Sequence, residues 1–155
     1  MIKPEELMIG NYFLPTSNGE ILMSSGPPMR VGEVLFDKVR VIEYDREDSP
    51  EYKFSEIFGV PLTSEMLQQA GFKYNKIKGV ASLDDDGDGE EFTHYWEISV
   101  KGNEQVGSFG FSLVKWGKDE KYTFSYHFLR IQIEYVHTLQ NIYQSITGNK
   151  LPFKL

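Results

Sequence analysis

The fold class is decided between Tyr122 and Gly148, where the chain reads YTFSYHFLRIQIEYVHTLQNIYQSITG. Its first part alternates: Tyr122, Phe124, Tyr126 and Phe128 are apolar, and Thr123, Ser125 and His127 between them are polar. Period two puts each set on its own face of a strand. At Phe128-Leu129 the apolar positions pass from even to odd and continue as Ile131, Ile133 and Tyr135. A one-residue change of phase turns the side chains over, so a bulge or a break between two strands is expected there. From Tyr135 the period becomes helical. Tyr135, Leu139, Ile142, Tyr143 and Ile146 fall at i, i+4, i+7, i+8 and i+11, one apolar stripe over Tyr135–Thr147. Gly148 ends this helix and Pro152 prevents its resumption.

Working back, Trp96, Ile98 and Val100 alternate with Glu97 and Ser99, and Phe109, Phe111 and Leu113 alternate with Gly110 and Ser112. One apolar and one polar face per strand predicts an antiparallel sheet covered on one side by helices. A short helix is expected after Pro61. Thr63 is its N-cap, Leu62 can staple onto Leu67, and Gly71 supplies a left-handed exit behind which Phe72 folds back on Leu67. The first sixty residues read as short strands, Met8–Leu14, Glu20–Met23, Arg30–Phe36 and Val39–Tyr44, cut by Ser17-Asn18-Gly19 and Ser25-Gly26-Pro27-Pro28. Tight turns at this spacing suggest a small barrel-like or strongly bent sheet of SH3 size. The expected fold is therefore α+β: a single domain over residues 1–155, with a strand-rich subregion at 1–61 and a helix, antiparallel meander and amphipathic helix at 62–155.

Bulk composition narrows the function classes. A chain of 155 residues that is 40% hydrophobic and 14% aromatic can fold without staples. The absence of cysteine excludes disulfides, thiolate zinc sites and a cysteine nucleophile. The start of the chain carries no signal-like apolar segment and no run is long enough to span a bilayer, so a cytoplasmic address without a membrane is expected. A net charge of -7 argues against a protein that grips nucleic acid with its whole surface. Six of the twelve acids in residues 61–155 lie in the run 84–91, however, so a local basic surface elsewhere in that part stays open.

Three segments together resemble a family of short uncharacterised proteins of Bacteroidetes genomes and their phages and integrated elements. They are Leu7-Met-Ile-Gly-Asn-Tyr-Phe13, Val60-Pro-Leu-Thr-Ser-Glu-Met-Leu67 with Gly71-Phe72, and Tyr135-Val-His-Thr-Leu-Gln-Asn-Ile-Tyr143 with Thr147-Gly148. The family counterparts resemble IGNYV, IPLTEEWLLKFGF and YVHQLQNLYFALTG. Thr138 stands where Gln is usual and Ser64 where an acid is common. The resemblance implies mobile-element origin and transfers no active site.

Two candidate sites emerge from the residues themselves. Asp84, Asp86 and Asp88 followed by Gly89 match D-x-D-x-D-G, in which alternate oxygens wrap a calcium ion. The twelfth position, which should be a bidentate Glu, is Tyr95, so a solvated acidic hairpin tip explains the same residues and calcium is the one cofactor left open. The second candidate is the side of the last helix opposite its apolar stripe. His137, Gln140, Asn141 and Gln144 lie there at helical spacing without a charge, where a surface helix ordinarily carries Lys and Glu. Packing under a neighbouring loop, recognition of a partner's backbone or base edges, and acid-base chemistry by His137 are the three readings. His94 shares parity with Trp96 and Ile98 and reads as a strand-end or core histidine; His127 falls on the polar face of its strand. The aromatic residues could line a ligand groove or stacking platform, but their strict alternation is what a sheet packed on helices needs.

No catalytic constellation survives: Walker A, G-x-S-x-G and H-E-x-x-H sequences are absent. The leading expectation is a non-enzymatic accessory or interaction module with a protein partner. A nucleic-acid-associated protein using residues 92–155 is the second, and a small enzyme the third.

Overall fold

In the computed structural model of the chain, residues 2–17, 20–21, 27–41, 49–78, 92–100, 109–116, 121–126 and 129–153 are described. Gly10 takes φ +96° and closes a turn in which the Asn11 N–H donates to the Met8 carbonyl at 3.0 Å. The first strand, β1, therefore runs Tyr12–Ser17 and not from Met8. A 3-10 turn, Pro4–Glu6, precedes it. Next come β2 (Glu20–Ile21), β3 (Met29–Val34), β4 (Lys38–Val41) and β5 (Glu51–Lys53); a 3-10 turn, Phe54–Glu56, then leads into β6 (Ile57–Gly59).

These strands form an antiparallel sheet of order β2-β1-β3-β4-β5, with β6 also on β1 through Phe13↔Gly59 and Leu14↔Phe58. The β3/β4 register shifts between Val31 and Glu33, which makes Gly32 the extra residue of a bulge. No sheet closes among the described residues, so the expected SH3-size barrel is not shown and the sheet is an open one. Its buried cluster is Ile2, Leu7, Phe13, Val31, Val39, Val41 and Ile57, with Met29, Tyr52 and Phe54 packed against it. Across its exposed side Arg40 bonds both Glu33 and Glu51, and Lys38 pairs with Glu51. Hydrogen bonds from Lys38 and Arg40 hold the Glu51 carboxyl below its usual range. Such solvated pairs add little stability.

Helix α1 spans Ser64–Gln69. Thr63 Oγ1 accepts from the Met66 N–H at 3.3 Å, the N-cap expected of it. Its exit is a full Schellman ending: Phe72 N–H donates to the Leu67 carbonyl at 2.9 Å, Gly71 N–H to that of Gln68 at 3.0 Å, and Gly71 takes φ +94°. The chain continues as β7 (Lys73–Lys78), β8 (Phe92–Val100), β9 (Phe109–Trp116), β10 (Tyr122–Tyr126) and β11 (Leu129–Ile133), an antiparallel sheet in the order β11-β10-β9-β8-β7. Strand β7 was not among the sequence expectations, because its apolar face is interrupted by lysine. Tyr126 pairs with Leu129, so the phase change at Phe128-Leu129 is a break between two strands and not a bulge. Opposite residues of such a hairpin sum to an odd number, which is why the apolar parity switches.

Helix α2 covers Val136–Thr147, with Tyr135 as N-cap and Gly148 in the left-handed conformation at φ +70°. Its start is tied to the segment before α1: Val136 N–H donates to the Val60 carbonyl at 2.9 Å, and Tyr135 bridges Pro61.

The chain divides into two compact units. One gathers Met1–Leu62 with Tyr135–Leu151, the other Thr63–Glu134 with Pro152–Lys154. Helix α2 thus belongs with the first sheet. No helix among the described residues is long and apolar enough to cross a membrane.

Candidate functional site

The four polar residues of α2 have different fates. His137 is buried at 2% exposure. Its ring stacks on Tyr135 at 5.7 Å, and its Nδ1 has no hydrogen-bond partner among the described residues. Burial pushes the imidazole down to about 4, so it is neutral near pH 7. Gln140 and Asn141 are occupied by the N-terminal segment. Asn141 Nδ2 donates to the Glu6 carbonyl at 2.7 Å, and its Oδ1 accepts from Asn11 Nδ2 at 3.0 Å. Gln140 Oε1 accepts from the Tyr12 N–H at 3.3 Å, and its Nε2 donates to the Gly10 carbonyl at 3.4 Å. Asn11 Oδ1 in turn accepts from the Met8 N–H at 2.7 Å. Gln144 is half-buried, and its carbonyl accepts from Gly148. For Gln140 and Asn141 the amides therefore satisfy backbone groups of the segment laid over the helix. The calcium candidates Asp84, Asp86 and Asp88 lie outside the described residues, as does His127.

A cleft of about 400 Å³ opens on the five-stranded sheet, lined by Ser64, Gln68, Tyr74, His94, Trp96, Lys115 and Tyr122. The register explains the assembly. Residues directly opposite share a face, so Tyr74, Trp96 and Leu113 form one cross-strand row, and Lys76, His94 and Lys115 form the next. Phe111, Leu113 and Phe124 on that face are buried, with Phe111 stacked on Phe124 at 4.4 Å. Helix α1 lies against this face, contributing Ser64 and Gln68 one turn apart.

The cleft walls are rings. Tyr74 and His94 stack at 5.9 Å, His94 and Trp96 at 6.2 Å, and Tyr122 meets Trp96 edge-on at 5.0 Å. The Tyr74 hydroxyl and His94 Nδ1 share a hydrogen bond of 2.7 Å, which fixes the His94 ring plane. Trp96 is 4% exposed, and its indole N–H has no hydrogen-bond partner among the described residues. Burying an unpaired donor costs about 1–3 kcal/mol. Lys115 Nζ stands 5.4 Å from the centre of the Tyr122 ring. Burial, then the Glu65 charge, raises the Tyr122 phenol to about 12, so it remains a neutral donor. Tyr74 keeps 42% of its surface exposed although its ring lies on the apolar face.

Trp96 and Tyr122 are core, as their alternation predicts, whereas nothing in the sequence reading marks Tyr74, Lys115, Ser64 and Gln68. A signal existed in the parity. His94 continues the inward series Trp96, Ile98, Val100, and Lys115 continues Phe109, Phe111, Leu113. Each puts a polar group where a packed face asks for an apolar one, and the two are opposite each other.

No protein family, curated protein or solved structure matches the chain.

Proposed function

We propose that the protein is a non-enzymatic binding module whose working surface is the aromatic cleft between α1 and the five-stranded sheet, and that it takes a planar ligand. The observation that carries this reading is the exposed Tyr74 ring paired with the half-buried His94 ring in a cleft backed by the buried Trp96 and Tyr122. Ligand sites are concave, with aromatic walls and a few placed polar groups, and about 400 Å³ falls within their usual range. Tyr74 and His94 hold each other's orientation, so their rings are set before a ligand arrives. Ser64 and Gln68 add a hydroxyl and an amide to read a ligand edge.

The same proposal includes an accessory role of mobile-element origin in the cytoplasm, supported by the resemblance of the three segments and the cysteine-free composition. It takes the strand-rich unit as an SH3-size scaffold. The support there is the continuity of β5 through a 3-10 turn into β6, which returns to β1.

Amide NMR during titration with two uncharged planar probes, adenosine and indole, tests the site. Shifts are expected at Tyr74, His94, Lys115 and the Trp96 indole N–H, reduced by Tyr74→Ala. Resonances of 2–17 should stay in place. Cleft resonances that do not move with either probe at millimolar concentration would overturn the reading.

A further inference from the structure

We infer that the planar ligand of this cleft is a nucleotide, with its base against the Tyr74/His94 rings and its phosphate at Lys115; the inference rests on the binding reading above. Aromatic walls alone are ambiguous. Tyr74, Trp96 and Tyr122 could equally form a cage for a quaternary ammonium, the other ligand that ring faces select. Charge decides between the two. Lys115 lines the cleft with its ammonium already over the Tyr122 ring. It occupies the face a ligand cation would use and repels a second positive charge. The register adds a second lysine to that row, since Lys76 lies opposite His94 on the same face. The row Lys76–His94–Lys115 crosses the sheet next to the row that carries Tyr74 and Trp96; of the lysines Lys115 lines the cleft, so the anion is placed at Lys115, on the side of the Tyr122 ring, and the base at Tyr74 and His94.

The anion is better matched by phosphate than by carboxylate, because a phosphate monoester carries a charge of about -1.5 to -2 near pH 7 and a lysine ammonium binds it as a compact point charge. Volume agrees, because about 400 Å³ is within the range of small-molecule sites. Stacking on a ring accepts any base, whereas hydrogen bonds from Ser64 and Gln68 would set preference among bases. The same chemistry could come from a free mononucleotide or from the phosphorylated end of a single strand.

The test is calorimetry on the full chain with 5′-AMP, 5′-UMP, adenosine, choline and hexathymidylate with and without a 5′-phosphate, paired with Trp96 fluorescence in a Trp116→Phe background. The expected result is that a 5′-mononucleotide binds about tenfold or more tighter than its nucleoside. Lys115→Gln should remove that difference, and Tyr74→Ala should weaken nucleotide and nucleoside alike. A phosphorylated hexamer binding about tenfold tighter than the mononucleotide assigns the ligand to a strand end; equal affinity assigns it to the free nucleotide. Either supports the inference. Adenosine binding as tightly as 5′-AMP, or Lys115→Gln leaving 5′-AMP binding unchanged, overturns the nucleotide while leaving the site intact. Choline binding in preference to nucleotides replaces it with a cation cage. Silence from every probe overturns both the ligand and the site.

Discussion

Replacing Asn141 with alanine separates packing from recognition on the polar side of α2. The amide joins the helix to one backbone group and one side chain: Nδ2 donates to the Glu6 carbonyl at 2.7 Å, and Oδ1 accepts from Asn11 Nδ2 at 3.0 Å. Truncation deletes both bonds, each worth about 1 kcal/mol net. Asn11 is only 3% exposed, and its Nδ2 would keep only the 3.4 Å contact with Gln140 Oε1. That adds a desolvation cost of about 1 kcal/mol, for a total of about 2–3 kcal/mol. In a chain of this length the loss lowers Tm by roughly 5–10 °C. Thermal unfolding followed by circular dichroism reads the total. Amide exchange should rise at Met8 and Tyr12, whose N–H groups donate to Asn11 Oδ1 and Gln140 Oε1. A double-mutant cycle with Asn11→Ala should give a coupling of about 1 kcal/mol, because the two side chains share one bond. A Tm within a degree or so of the unmutated chain, with exchange unchanged at Met8 and Tyr12, would refute the packing account and return this face to recognition.

Three further outcomes are expected. Burial holds His137 at about 4 against 6.5 in the unfolded chain, so the unfolded state binds the extra proton between those values. Stability from the neutral imidazole is complete above pH 6.5 and is lost as pH falls toward 4, about 3 kcal/mol in all; denaturant melts across that window should be steeper in pH for the unmutated chain than for His137→Gln, and equal slopes would disprove the assignment. At Gly59 an added Cβ would lie 2.6 Å from Tyr135 Cγ and 3.0 Å from His137 Cε1. Gly59→Ala should therefore cost about 1–3 kcal/mol in chemical denaturation by forcing apart the stacked ring pair, and an unchanged midpoint would show that the rings yield freely. Thr63→Ala removes the α1 cap and should cost about 1 kcal/mol, whereas Thr63→Ser should restore most of it; a serine variant no more stable than alanine would mean that the hydroxyl is not the stabilising group.

What could be read in the sequence was local. Thr63, Gly71 and Phe72 specify the ends of α1 by hydrogen bonds to residues three to five positions away, and those bonds form. The alternations from Trp96 and Phe109 specify strands for the same reason, since period two belongs to one segment. Partners distant in sequence were harder. The start of β1 depends on Gly10 turning and on Gly10 N–H finding the Val31 carbonyl at 2.7 Å, so a strand expected from Met8 begins at Tyr12. The sequence predicts an α2 stripe of Tyr135, Leu139, Ile142, Tyr143 and Ile146. The buried helical residues are Val136, His137, Leu139 and Tyr143, which rotates the covered face toward His137. A periodicity argument places polar residues outward. It has no way to represent a neighbour such as Asn11, 130 positions away, that gives Asn141 a partner.

The cleft illustrates the opposite failure, in which polar residues placed inward went unnoticed. A sheet face selected only for packing would continue Trp96, Ile98 and Val100 with another apolar side chain at 94, and Phe109, Phe111 and Leu113 with another at 115. His94 and Lys115 occupy those positions on adjacent strands and face each other. Either alone is an ordinary strand-end residue; together they set two polar groups in the row next to Trp96–Leu113, beside the buried Tyr122 ring. Tyr74 joins them, bonding His94 while 42% of its surface remains exposed. The informative sequence feature was therefore not the aromatic content but the two positions at which an aromatic or aliphatic residue was due and a cationic or titratable one stands.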